Sequence, residues 1–350
     1  MPFIKIDNTL IGTGQPPFIV AEAGINHNGD LETALKMIET AKKARVDAIK
    51  FQTFKANEFI GNPELTYTYH SQGKEITESM LEMFRRYEFS NNDWRTIRDK
   101  CSKEGIMFLS TPQNRTDLDL LIELGISAIK VGSDDFTNLP LLKHFSKTGL
   151  PMILSCGMSD LADIHNTLMG IGSYDGYPTI LLLCTSQYPT PPGDVNLLKL
   201  RTLGNAFSML PLGFSDHTQG ELASSIAVAL GACFFEKHFT LDHNLDGPDH
   251  WFSEDPEGLK NWVSSIRRAY TIMGSEIVKP TVIEKDMMVL ARRSIVALCN
   301  IKKGERLTEE NIGLKRPGSG LPYVMFEKVL GLSATGHIAK GDVLEIGSIK

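Results

Sequence analysis

The chain has 350 residues, of which 42% are hydrophobic and 22% charged, with a formal net charge of -6. That length suits one large domain with a small one beside it, since single cores rarely grow beyond ~250–300 residues. Mild acidity gives no general field for nucleic acid or an anionic membrane, so an anionic substrate must be held by a local cluster of cations.

The opening Met1-Pro2-Phe3-Ile4-Lys5-Ile6-Asp7 has no signal-peptide pattern, and no apolar run is long enough for a membrane span. From Phe18 to about Met273, short apolar runs alternate with longer amphipathic ones. The predicted strands are Phe18–Ala23, Ala48–Gln52, Ile106–Ser110, Ala128–Val131, Met152–Ser155, Thr179–Leu183, Leu210–Phe214 and Ala232–Glu236. Helical spacing lies between them, as in Leu31–Ala44 and Leu222–Leu230. Near-continuous apolar strands, each followed by a helix, fit a closed parallel barrel better than an open sheet. The expected fold is a (β/α)8 TIM barrel over residues 1–275, closed by a last helix at Pro256–Met273. One connection is anomalous: Thr53–Ser90 reads as a long polar and aromatic loop, either a lid or substrate wall or an inert insertion.

Residues 276–290 read as a linker. Residues 291–350 read as short strands with tight Gly turns, a small β-rich module that at about 60 residues would be marginal alone. Within it, Ile301-Lys302-Lys303-Gly304-Glu305-Arg306-Leu307 echoes Ile338-Ala339-Lys340-Gly341-Asp342-Val343-Leu344, which predicts two similar turns. The cysteines (Cys101, Cys156, Cys184, Cys233, Cys299) are scattered without zinc-ligand spacing, and three lie in or beside apolar runs as small hydrophobes. A reducing cytoplasm is the expected location.

In a parallel barrel the active site sits at the C-terminal ends of the strands. His217 and His238 follow the last two predicted strands, so both imidazoles are expected at one mouth, roughly 5 Å apart by strand spacing. Such a pair can hold a divalent metal with open positions, which points to catalysis; strand-end capping is the bland alternative. The same rule brings Glu22, Lys50, Gln52, Thr111, Lys130, Ser133, Ser155, Ser186 and Ser215 to that mouth. Two lysines with hydroxyls and Gly-flanked amides suit a small phosphorylated anion. Phosphate, carbonyl and metal together point to carbon–carbon bond formation with a phosphorylated enol. Ser159 and Asp160 read as helix caps, and His27 as a hydrogen-bonded loop histidine.

Taken in order, the motifs resemble the sialic acid synthase family. They are Ala21-Glu22-Ala23-Gly24-Ile25-Asn26-His27-Asn28-Gly29, Lys50-Phe51-Gln52-Thr53, Ser110-Thr111-Pro112, Lys130-Val131-Gly132-Ser133, Leu154-Ser155-Cys156-Gly157-Met158, Cys184-Thr185-Ser186-Gln187-Tyr188-Pro189-Thr190, the two histidine runs and Gly247-Pro248-Asp249. The C-terminal part resembles that family's antifreeze-like (SAF) domain, including Lys315-Arg316-Pro317-Gly318-Ser319-Gly320. The resemblance implies condensation of phosphoenolpyruvate with N-acetylmannosamine or a related 2-acetamido hexose, releasing phosphate. It implies Mn²⁺ (with Mg²⁺ or Co²⁺ as alternatives) on His217 and His238, and phosphoenolpyruvate on Lys50, Thr111, Lys130, Ser133, Ser155, Ser186 and Ser215. Gln52, Asp135, Tyr188 and Asp249 would meet the sugar, Glu22 would manage a proton, and Arg316 would come from the partner in a domain-exchanged homodimer. Relatives often carry asparagine at Ser186 and glutamate at Asp135, so two side chains facing the substrates are shorter here. Another phosphoenolpyruvate-dependent 3-deoxy-ulosonate synthase is the alternative, as is a legionaminic, pseudaminic or Kdn synthase of the same family.

Overall fold

Eight strands of the chain pair in parallel in one sheet: β1 (Phe18–Gly24), β2 (Ala48–Thr53), β3 (Met107–Pro112), β4 (Ile129–Val131), β5 (Met152–Ser155), β6 (Thr179–Cys184), β7 (Leu212–Ser215) and β8 (Phe234–His238). The computed structural model describes residues 2–350. Along the sheet the order is β3-β2-β1-β8-β7-β6-β5-β4, so β1 pairs with β8 and the barrel is nearly closed, with its one unladdered seam between β3 and β4. Every strand lies within two residues of its predicted run at both ends. Helices α1 (Leu31–Lys43), α2 (Asn91–Glu104), α3 (Arg115–Glu123), α4 (Leu139–Ser146), α5 (Leu161–Ile171), α6 (Lys199–Ala206), α7 (Leu222–Ala229) and α8 (Pro256–Met273) return the chain between strands and after β8. Asp160 caps α5 by accepting from Ala162 N and Asp163 N, whereas Ser159 donates to the Gly157 carbonyl instead.

Alternation along each strand explains both the core and the site. One set of side chains points outward to the helices: Ile19, Ala21, Ile49, Phe51, Leu154, Leu181, Leu183, Phe214 and Phe235 belong to the layer that buries Met37, Ile38, Leu118, Leu142, Leu168 and Trp262. The other set fills the barrel interior. Its lower part is apolar, with Phe18, Val20, Ala48, Leu109, Ile153, Ile180, Leu182 and Phe234 packed on Ile4, Ile6 and Ile11. Those three isoleucines belong to an antiparallel hairpin, Phe3–Ile6 with Thr9–Gly12, that plugs the bottom. Two residues further along the same inward rows, Val20 gives way to Glu22, Ala48 to Lys50, Leu109 to Thr111, Ile153 to Ser155 and Phe234 to Glu236. Period two thus carries each strand from core to chemistry.

The long connection after β2 is structured where a loop is predicted. It holds a short helix at Ala56–Phe59, a hairpin of Thr66–Ser71 with Lys74–Ser79, and a helix at Met80–Tyr87. Gln72 and Gly73, at φ 49 and 74, make the left-handed two-residue turn that β-hairpins favour. The excursion has its own small core, Phe54, Tyr69, Met83 and Tyr87 against Ile25. Its tip is tied to the segment after β8: Ser71 Oγ donates to Asp246 Oδ1 at 2.6 Å and Gln72 Nε2 to Asn244 O at 3.0 Å.

The chain divides into two units, one ending at Gly274 and the other spanning Ser275–Lys350. A helix at Val282–Ala291 occupies the stretch read as a linker; its capping box, Thr281 with Glu284, is the sequence signal for it. Beyond it, Ser294–Ala297 pairs antiparallel with Ile312–Lys315 over a core that includes Ile295, Ile301, Leu307, Ile338 and Leu344. The two halves of the weak repeat pair with each other, Ile301 and Ile338 exchanging both backbone hydrogen bonds. Gly304 and Gly341 both take positive φ, 79 and 94, at the equivalent turns.

Candidate active site

The upper inward layer of the barrel lines a cavity of about 290 Å³. Four charged side chains meet at its base, on four different strands. Glu22 Oε2 lies 2.6 Å from Lys50 Nζ, Glu236 Oε2 3.8 Å from Lys50 Nζ, and Glu236 Oε1 3.5 Å from Lys130 Nζ. All four are at most 5% exposed, so the charges alternate in sign out of bulk water. Hydroxyls complete them: Lys50 donates to Thr111 Oγ1 at 3.2 Å, Lys130 to Ser155 Oγ at 2.7 Å, and Ser215 to Glu236 Oε1 at 3.3 Å.

Burial sets the electrostatics, and the neighbours decide each outcome. It pushes the Glu22 carboxyl up to about 7 against the pull of Lys50. On Lys50 the same desolvation is outweighed by Glu22 and Glu236, which hold its ammonium above the ordinary lysine value. Lys130 ends below that value, because Glu236 only partly offsets desolvation. Neither oxygen of Glu22 accepts a well-angled hydrogen bond, and Glu236 Oε2 is likewise buried without one. Apart from their ion-pair contacts with Lys50, these buried oxygens are left for water or a polar ligand to satisfy.

Three loop tips after β4, β5 and β6 converge on Gly157. A Cβ there would sit 2.5 Å from Ser186 Oγ and 2.6 Å from Ser133 Oγ, so only glycine lets the two hydroxyls approach. Gly157 N donates to Ser133 Oγ at 3.0 Å. Opposite lie the two histidines, ring centroids 5.6 Å apart. His217 Nδ1 is 2.8 Å from the Thr185 carbonyl; a carbonyl only accepts, so this nitrogen carries a proton, and although burial alone would lower the ring's pKa, the Cys184 thiol and that carbonyl hold it above the ordinary histidine value. Burial, then the nearby cations, keep His238 well below the ordinary histidine value and neutral. Its Nδ1 is buried with no hydrogen-bond partner, 3.8 Å from Asp249 Oδ2. Among the described residues no three His, Cys, Asp or Glu side chains form a metal cage, so the protein's share of a metal shell would be the two imidazoles. Because Nδ1 of His217 is committed to the Thr185 carbonyl, its Nε2, once the ring is unprotonated, and the orphaned Nδ1 of the neutral His238 would be the atoms offered to a divalent ion that keeps open positions.

Residues 37–278 match the NeuB family, and residues 292–347 match the SAF domain. The chain belongs to the NeuB family. It is 39% identical over 95% of its length to an N,N'-diacetyllegionaminic acid synthase of Legionella pneumophila, covering 94% of that protein. An enzyme of the same name from Campylobacter jejuni is 41% identical, with 93% of this chain and 98% of the relative covered. Among solved structures, the N-acetylneuraminic acid (sialic acid) synthetase of Leptospira borgpetersenii superposes with a TM-score of 0.73 at 33% identity, covering 82% of this chain and 95% of that one.

In this NeuB-family barrel the cavity brings together Glu22, Lys50, Gln52, Thr111, Lys130, Ser133, Ser155, Ser186, Tyr188, Ser215, His217 and His238. Asp249 stands just behind His238, and the Tyr188 ring packs on His217 at 4.1 Å. Asp135 differs from expectation: Asp134 lines the cavity, while Asp135 accepts from Asn138 Nδ2 at 2.8 Å at the head of α4. Arg316 is exposed on the second unit, just past the strand Ile312–Lys315. His27 is a loop histidine: Nδ1 accepts from Gly29 N at 3.0 Å, the ring stacks on Phe89, and burial takes it down to about 3. Sequence reading missed Glu236 as a central site residue. The signal was available, because a strand that points His238 inward must also point Glu236 inward. Phe59 and Phe84, which wall the cavity from the excursion, carried no signal.

Outward from the histidines lies a second buried ion pair. Lys237 Nζ is 3.2 Å from Asp216 Oδ2 and 3.8 Å from Glu254 Oε1, and it also donates to the Thr218 carbonyl. Asp216 accepts from Thr218 N, Thr218 Oγ1 and Ser224 Oγ, and Trp262 Nε1 donates to the same serine. This network ties the segment bearing His217 to the strand bearing His238. Lys237→Met strands a fully buried carboxylate, so it is expected to destabilise the fold by about 3–5 kcal/mol in urea unfolding, and Lys237→Met with Asp216→Asn should recover part of that loss.

Burial also raises Asp249 to about 6. The folded protein then binds this proton more tightly than the unfolded chain does, so its contribution to stability falls as pH rises from about 4 through about 6. Asp249→Asn is expected to remove that slope. The difference between wild-type and variant denaturation midpoints, measured across this window, checks it.

Proposed function

We propose that this NeuB-family protein condenses phosphoenolpyruvate with the open-chain aldehyde of a 2-acetamido hexose and water, giving a nonulosonic acid and phosphate. The observation that carries the reading is the single cavity in which Lys50, Lys130 and five hydroxyl side chains face His217 and His238. Lys50 and Lys130, with Thr111, Ser133, Ser155, Ser186 and Ser215, hold the phosphate and carboxylate of the enol. A divalent ion on His217 and His238, Mn²⁺ in this proposal, would supply Lewis acidity to the carbonyl oxygen of the sugar. C3 of phosphoenolpyruvate adds to the aldehyde carbon, water adds to C2, and the tetrahedral adduct collapses with loss of phosphate. Glu22, with a carboxyl near neutrality, exchanges a proton at the aldehyde oxygen. Gln52, Tyr188 and Asp249 orient the sugar.

Phosphate release from phosphoenolpyruvate with N-acetylmannosamine or its 6-deoxy and 4-acetamido analogues, in the presence of Mn²⁺, tests this. No release with any of them defeats it. Lys130, whose pKa burial lowers, raises the rival chemistry of a Schiff-base aldolase. Borohydride capture of a lysine–substrate imine would decide for that rival. A homodimer that exchanges the second unit, with Arg316 serving the partner's site, completes the proposal. It is supported by the helix Val282–Ala291, which buries none of its residues and exposes Val282, Ile283, Met287 and Leu290. Sedimentation of an active monomer would overturn it.

A further inference from the structure

The side chains next to the two histidines in sequence point the other way, into the layer between barrel and helices. On other strands that layer receives Phe51, Leu154, Leu181 and Leu183. Behind His217 and His238 it receives Asp216 and Lys237, 0% and 2% exposed. A buried ion pair is seldom worth more to stability than apolar side chains of similar volume, so a pair placed here calls for a geometric role.

The network grips the backbone of both histidines. Asp216 Oδ1 accepts from Thr218 N at 2.9 Å and Thr218 Oγ1 at 2.7 Å, and the Lys237 ammonium donates to the Thr218 carbonyl. His217 thus sits at the crest of a closed turn. Glu254, 3.8 Å from Lys237 Nζ, reaches both histidine segments: its Oε1 accepts from Gly220 N at 2.7 Å, and its backbone N donates to the His238 carbonyl at 2.9 Å. Asp216 Oδ2 is anchored to α7 through Ser224 Oγ at 2.6 Å, and that serine to α8 through Trp262 Nε1 at 2.8 Å. The His238 ring has no such hold of its own. Its Nδ1 lacks a hydrogen-bond partner, and it packs between the rings of Tyr188 and Phe252 at centroid distances of 5.7 and 5.5 Å. Its aim therefore follows its backbone.

We propose that Asp216, Lys237 and Glu254 are positioning residues for the His217–His238 pair. They fix the separation and aim of the two imidazoles, and through these the affinity of the pair for a divalent ion. This role rests on the metal reading above. Side chains that orient metal ligands from behind govern affinity by about 10–100-fold.

Electron paramagnetic resonance of added Mn²⁺, read on the full chain well below its unfolding midpoint, tests this. Lys237→Met with Asp216→Asn removes the ion pair without leaving it half-paired, and should weaken Mn²⁺ binding by about 10–100-fold. Glu254→Ala, which keeps the Lys237–Asp216 pair, should weaken it by a few-fold and serves if the double variant does not fold. In both, kcat lost at limiting Mn²⁺ should return at excess, and the KM for phosphoenolpyruvate should stay within a few-fold of wild type. Leu168→Ala on α5, a fully buried position that makes none of these contacts, should lower the unfolding midpoint and bind Mn²⁺ as wild type does. Wild-type affinity in the folded variants, an equal loss in Leu168→Ala, or a kcat deficit that excess Mn²⁺ does not close overturns the positioning role and leaves the metal reading standing. A wild-type protein that leaves the free-ion signal untouched overturns both.

Discussion

Lys130→Met is expected to lower kcat/KM for phosphoenolpyruvate by about 10²–10³-fold with little change in the unfolding midpoint. Methionine keeps the stem of the side chain in its slot between β4 and β5 and removes only the ammonium. That ammonium lies 3.5 Å from Glu236 Oε1 and 2.7 Å from Ser155 Oγ, 2% exposed, where a charge acts through a medium far less screening than water. Loss of one preorganised donor at a buried reacting centre has an effect of this size. The fold tolerates the change because Glu236 keeps Lys50 as counter-ion and Ser215 as donor. Steady-state kinetics with each substrate varied in turn check it: the KM for phosphoenolpyruvate should rise and that for the sugar should stay within a few-fold. A variant as active as wild type would remove Lys130 from the anion site.

His238→Ala is expected to abolish tight Mn²⁺ binding and to lower kcat by about 10³-fold, the loss of several kcal/mol of carbonyl polarisation. Its imidazole is neutral, and its Nδ1 lies buried without a hydrogen-bond partner, which suits a ligand and ill suits a purely structural residue. Electron paramagnetic resonance of added Mn²⁺ reads the binding without reference to turnover. Wild type should remove the free-ion signal at stoichiometric metal, and the variant should leave it. Full activity of wild-type protein after exhaustive chelation would sink the metal assignment.

Much of this architecture could be read in the residues. Eight apolar runs spaced by amphipathic helices specify a parallel barrel, because a strand buried on both faces has to be apolar and its return helix has to be amphipathic. The rule that strand C-termini form the site then gathers Lys50, Lys130, the hydroxyls and both histidines from motifs 188 residues apart in the chain, Lys50 to His238. Thr53–Ser90 was less legible. Its hairpin runs Tyr67-Thr68-Tyr69-His70 into a Gln72-Gly73 turn, and a hairpin of that length has few long-range contacts to advertise it in the sequence.

Sequence alone determined which residues alternate inward on each strand, and so which side chains can reach the mouth. It also determined that two neutralisable imidazoles and two lysines share that mouth. Tertiary structure decided how they pair. Glu236 became the bridge between Lys50 and Lys130, and Asp134 rather than Asp135 turned to the cavity. Gly157 proved to be the point where two serine hydroxyls meet. These outcomes depend on distances of a few ångströms between strands remote in sequence, and on desolvation, which no local pattern encodes. The same holds for Phe59 and Phe84: an aromatic residue in a connection reads as ordinary core until the fold shows which of its faces is left open.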